Sequence, residues 1–157
     1  MSASNSAKLY DKKIKDMVAK LKKTPKLKLG VINSSPRWDG LSNAKIGAIH
    51  ELGLGNNQVR SFIMLPMYED FFNDLTSRYW PDELLDILFR EKDGPRKFME
   101  TCGRSGLRTI LDAFDREGTS STPWPPSDMT YKKVHMTLTE TGQLRDSISW
   151  EIVDDNN

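Results

Sequence analysis

The sequence predicts an α+β chain, helix-rich, in which a small antiparallel or mixed sheet packs with several helices. Segments 26–33 and 146–153, near opposite ends of the chain, each alternate apolar and polar residues with the period of a half-buried strand. Elsewhere apolar residues recur at helical spacing, punctuated by proline and glycine. With 157 residues, 37% of them hydrophobic and 29% charged, the chain is expected to form a single domain, 1–157, with a lean core.

Taken in order, residues 1–6 are small and polar and read as a flexible tail, as do residues 154–157. From Lys8 to Lys23, Tyr10, Ile14, Met17, Val18 and Leu21 form one helical stripe, and Pro25 ends it. In 26–33, Leu27, Leu29 and Val31 alternate with Lys26, Lys28 and Gly30, a strand whose lysine-bearing face also guards an edge. SSPRWDG (34–40) reads as loop. Ser42 is placed to cap a short helix that Gly53 terminates.

Residues 58–65 read as extended or irregular, stopped by Pro66. The spacing of Met67, Phe71, Leu75 and Tyr79 predicts a single helix over 67–80. Pro81 is placed at the first position of another, with Asp82 and Glu83 in its first turn. After Asp93-Gly94-Pro95 a longer helix runs to about Glu117, ended by Gly118, with Phe98, Cys102, Leu107, Ile110, Leu111 and Phe114 inward. Ser127 is placed to cap a short turn beyond the Pro-rich loop 118–127. Finally, Thr141 is placed to cap a turn carrying Leu144, with Gly142 keeping its entry open. Ile148, Trp150 and Ile152 then share one strand face.

Charge and motifs narrow the function. The net charge is +1, so no global field points to nucleic acid or an anionic membrane, yet residues 1–30 hold nine lysines against two aspartates. No secretory signal and no apolar run near the roughly 20 residues needed to span a bilayer are present, so the chain is expected in a cytoplasm, without membrane contact. One cysteine excludes an internal disulfide, and Cys102 reads as a small buried hydrophobe. His50-Glu51 lacks the second histidine of a zinc HExxH site, since that position is Leu54, and His135 is remote in sequence. Neither a nucleophile elbow nor a phosphate-binding glycine loop occurs, and Gly103 and Gly106 read as close-packing positions inside a helix. The expectation is a non-enzyme with no catalytic residue, metal or cofactor. Trp38, Trp80 and Trp124 stand in loops or beside proline, as core plugs or interface anchors.

Two blocks resemble a known family. KIGAIHELG (45–53), followed by VRSFIML (59–65), is similar to the A-x-I-H-E-F-G … P-A-R-P-F signature of tailed-phage virion morphogenesis and tail-completion (neck) proteins. TPWPPSDMTYKKVHMTLTETGQLRDSISWEI (122–152) is similar to that family's W-x-P-L-x-x-x-T … K … L-x-D-T-G-x-L-x-x-S-I ending. The matches are Ala48, Ile49, His50, Glu51, Gly53, Arg60 and Phe62, then Trp124, Pro126, Thr130, Lys132, Leu138, Thr141, Gly142, Leu144, Ser147 and Ile148. Gln58-Val59 stands where the family often has Pro-Ala, Glu140 replaces an aspartate, and 67–92 reads as a helical elaboration.

The resemblance implies structural work: a ring, commonly six-fold, at the neck between head connector and tail, with DNA passing through the lumen without specific binding. Implied partners are copies of itself, the connector or neck proteins, and the tail terminator or tube; the place is the virion, assembled in the bacterial host cytoplasm. His50, Glu51, Arg60, Phe62, Trp124, Pro126, Thr141, Gly142 and Leu144 are the candidate interface or family-motif residues. The alternatives are a nucleic-acid-binding module using the basic N-terminal helix, and a small hydrolase using His50 and Glu51.

Overall fold

The computed structural model of the chain describes residues 3–32, 40–126, 138 and 142–154, with residues 3–8 and 56 described by backbone alone. Among these residues run α1 (Ala3–Leu21), β1 (Lys26–Val31), α2 (Asn43–Leu52), a 3-10 turn (Leu54–Asn56), α3 (Met64–Glu69), α4 (Phe71–Arg78), α5 (Pro81–Arg90), α6 (Gly94–Arg116), α7 (Gln143–Asp146) and β2 (Ile148–Val153). The α+β, helix-rich expectation holds, and the two strands pair antiparallel, joining the two ends of the chain. The expected loop 34–40 apart from Gly40, the turn after Ser127, Trp38, Thr130, Lys132, His135, Glu140 and the Thr141 cap lie outside the described residues.

The register sets Leu27 opposite Ile152, Leu29 opposite Trp150 and Val31 opposite Ile148, so the apolar residues of both strands meet as cross-strand pairs. Lys28 stands opposite Glu151 and reaches its carboxylate at 3.1 Å. Two strands alone are marginal in water. This pair is held by α6, which packs on both strands and also on α3, α4 and α5. Its 23 residues span about 35 Å. Gly103 and Gly106 let the sheet come close: a Cβ at Gly103 would stand 2.6 Å from the Trp150 ring, and one at Gly106 2.6 Å from Leu29.

One apolar cluster joins Phe62, Ile110, Ala113, Phe114, Trp124, Leu144 and Ile148; a second joins Leu75, Leu84 and Cys102, with Leu27, Phe71, Tyr79 and Phe98 packed against it. The helical stretch 67–92 thus builds part of the core.

Several boundaries differ from the sequence expectation. The first helix starts at Ala3, so residues 3–6 belong to it and not to a tail; alanine, serine and asparagine do not stop a helical ladder. Asp154 is likewise tied down, by Arg96 at 2.9 Å. The single helix expected over 67–80 is two, broken at Asp70, whose carboxylate is drawn to Ser120 and Arg116. Pro66 does not stop the preceding segment: it lies in the first turn of α3, where a missing N–H costs no helical bond. The long helix ends with Glu117, not Gly118, in the left-handed conformation (φ 54°), its N–H closing on Ala113 and Phe114. The first strand ends at Val31, and the second starts at Ile148 and not at 146, because Asp146 and Ser147 close α7 before it begins.

Candidate functional site

Several described residues of the two signature blocks, Glu51, Arg60, Phe62 and Trp124, converge on the junction between α2, α3 and the Pro-Trp-Pro loop. The geometry starts from α2. Ser42 accepts from the Lys45 N–H at 3.1 Å, and Gly53 closes the helix at φ 66° with its N–H on Ile49, both as the sequence predicts. The capped helix delivers Glu51 to the start of α3. Helix starts leave N–H groups without intrahelical partners, and Glu51 takes three of them or their neighbours: Phe62 N–H at 2.8 Å, Ile63 at 3.0 Å and Met64 at 2.8 Å. The Ser61 hydroxyl donates to Glu51 at 2.6 Å and accepts from Leu65 N–H at 2.9 Å. A carboxylate at a helix N-terminus gains from both charge-assisted bonds and the helix dipole. Glu51 is therefore a helix cap supplied from a distant element.

Arg60 makes the next link. Its backbone N–H donates to His50 O at 2.8 Å. Its side chain, only 8% exposed, donates from Nε to Pro125 O at 3.0 Å and from Nη2 to Pro126 O at 2.9 Å and Gln58 Oε1 at 3.1 Å. The guanidinium fork thereby clamps the carbonyls of two successive prolines, neither of which has a backbone N–H of its own. Pro126 is exposed and serves through its carbonyl.

Trp124, buried, ties the same loop down from the other side. Its indole N–H donates to Ser61 O at 3.2 Å and its backbone N–H to Glu117 O at 2.7 Å. Phe62, fully buried, meets Phe114 edge-to-face at 5.4 Å, and Phe114 meets Trp124 likewise at 5.4 Å. Leu144 and Ile148 join this cluster from the C-terminal block. Gly142, at φ 68°, is the left-handed entry to α7, which places Leu144 inward. Asn43 on α2 donates to Gln143 O at 3.2 Å, linking the first block to the last.

A second clamp was not visible in the sequence. Asp70, 3% exposed, receives the Ser120 N–H and hydroxyl and the Arg116 guanidinium, the last at 3.0 Å. Glu69 beside it receives the hydroxyls of Thr119 and Thr122. The Thr119 hydroxyl in turn accepts from Thr122 N–H at 2.8 Å. An Glu-Asp pair facing a Thr-Ser-Ser-Thr run is a sequence signal for such a clamp, but one that fifty intervening residues obscure.

The structure thus brings Glu51, Arg60, Phe62, Trp124, Pro126, Gly142, Leu144 and the backbone of His50 into one interlocked unit, with Thr141 outside the described residues. Chemically the unit is a set of caps and clamps: the Glu51 carboxylate and the Arg60 guanidinium are directed mainly at backbone groups, with Ser61 and Gln58 beside them. Among the described residues, no group of three or more His, Cys, Asp or Glu side chains is arranged to hold a metal ion, and no helix is long and apolar enough to cross a membrane. Burial pushes the Cys102 thiol up, away from the reactive thiolate. No family model, curated protein or solved structure matches this chain.

Proposed function

We propose that this chain is a structural virion component: a ring-forming neck or tail-completion protein that joins a phage head connector to the tail during assembly in the bacterial host. DNA passes through the lumen of the ring without being specifically bound, and the protein performs no catalysis. The observation that carries the reading is the interlock of the two signature blocks. Residues 45–62 and 122–148 are far apart in sequence, yet Glu51, Arg60, Phe62, Trp124 and Leu144 bind or pack into one unit. A motif whose parts cooperate physically has reason to occur whole and in order, which is how it occurs in the family that this chain resembles. A scaffold of this kind suits a particle component, whose task is to hold a shape against neighbours.

The test is deletion of the gene from the phage that carries it, followed by electron microscopy of the lysate. DNA-filled heads beside separate, finished tails are expected; normal joined virions would sink the reading. A second reading has one observation in its favour, the lysine-bearing and exposed α1. As a nucleic-acid module the protein would bind duplex DNA with steep salt dependence, on the order of 0.9 in logarithmic slope per phosphate neutralised. A titration with duplex DNA at low salt separates the two, because the neck reading expects no such binding.

A further inference from the structure

Two exposed faces among the described residues complement each other. The first is α1. Its stripe Tyr10, Ile14, Met17, Val18 and Leu21 is between 43% and 66% exposed, although Lys20, near the end of α1, donates to the Phe89 carbonyl on α5. From Tyr10 to Leu21 the stripe is about 16 Å long. Lysines crowd around it: Lys12, Lys13, Lys15, Lys20, Lys22 and Lys23.

The second face lies on α3–α5. Met64, Tyr68 and Phe72 follow one another at four-residue spacing, with Trp80 at the corner where α4 meets α5. Tyr68 is 88% exposed, Phe72 71% and Trp80 78%. Met64 and Tyr68 lie on α3 and Phe72 on α4, beyond the break at Asp70. Its charge is opposite to that of α1: Asp82, Glu83 and Asp86 are exposed on α5, the first two just after Trp80 in sequence. An exposed row of large aromatics is the composition of an interface anchor.

We infer that α1 of one copy docks, apolar stripe first, on the aromatic acidic face of α3–α5 of the next copy. The partner is a second copy because this chain carries both halves, alike in apolar character and opposite in charge. The two surfaces differ, so the contact is heterologous and propagates head-to-tail, closing into a ring when the rotation per copy allows. The inference deepens the ring reading and rests on it; it assigns the segment that makes the subunit contact.

The experiment uses the full chain, sedimentation velocity and light scattering, and two double variants. Ile14→Glu with Val18→Glu disables the arm; Phe72→Glu with Trp80→Glu disables the face. All four side chains are exposed, so both variants should keep wild-type circular dichroism, and wild-type melting at a dilution where the wild type is itself monomeric. Expected are a wild-type oligomer that weakens with salt, and two variants each monomeric alone. Mixed, they should form only a dimer of twice the 17.9 kDa chain, because one intact arm meets one intact face and neither partner can propagate. Variants that still oligomerise, or a mixture that stays monomeric, overturn the contact while leaving the ring reading to the particle phenotype. Wild-type chain that remains monomeric at several hundred micromolar overturns it too. So does wild-type chain that sediments with phosphatidylserine vesicles through α1 while the face variant still oligomerises.

Discussion

Glu51 shows how a single side chain can read as chemistry and serve as structure. Next to His50 it resembles half of a metal or acid–base motif, yet its two oxygens face three backbone N–H groups and the Ser61 hydroxyl. Removing it leaves those donors at a helix start without their acceptor. Glu51→Ala is expected to cost about 2–4 kcal/mol, since bonds to a charged group run about 1.5–3 kcal/mol each but are not additive; urea unfolding measures it. Arg60→Lys should cost about 1–2 kcal/mol, because a point-like ammonium cannot span two carbonyls and Gln58 as the fork does. Cys102 makes a chemical prediction. Burial holds its thiol protonated, so iodoacetamide at about pH 8 should label the folded protein slowly and the urea-unfolded protein at the rate of a free cysteine. The unfolded thiol ionises first as pH rises, so this group lowers stability above the ordinary thiol range.

At the scale of elements, α6 decides most of the architecture. Its glycines are where helix propensity and packing conflict. On an exposed helix, Gly→Ala stabilises by about 1 kcal/mol. At Gly103 the added Cβ would meet the Trp150 ring at 2.6 Å, so Gly103→Ala should instead destabilise by about 1–3 kcal/mol, read in thermal unfolding. The break between α3 and α4 has a comparable cause. No proline or glycine stands at Asp70; the chain turns there because a buried carboxylate is bonded to Ser120 and Arg116. Asp70→Asn keeps the size and loses the charge; it is expected to cost about 1–3 kcal/mol and to raise proteolytic cleavage within 119–122.

For the whole molecule, stability and assembly should separate. Substitutions in the interlock, such as Glu51→Ala, are expected to lower melting temperature and joined-particle yield together. Substitutions on α1, such as Ile14→Glu, should leave the melting temperature of the dilute, monomeric chain within about 1 °C, as surface changes do, and lower particle yield. Complementation of a gene-deleted phage, scored beside thermal unfolding of the same variants, measures both.

Much of this was legible in the sequence because it depends on local pattern. The strand alternation of Leu27–Val31 and Ile148–Ile152, the Ser42 cap, the Gly53 terminator and the Pro81 helix start each follow from steric and hydrogen-bonding rules acting over a few residues. The role of Gly103 and Gly106 was legible in kind: a close approach was expected, though not that the sheet makes it. The links between distant residues came from the folded chain alone: Glu51 capping α3, Arg60 holding Pro125 and Pro126, and Asp70 breaking a helix toward Ser120. These depend on which donors and acceptors the folded chain brings within about 3 Å, and a carboxylate's partner is set by that encounter, not by its neighbours in sequence. The same holds for α1, whose stripe announces a buried face in the sequence while the fold leaves it uncovered.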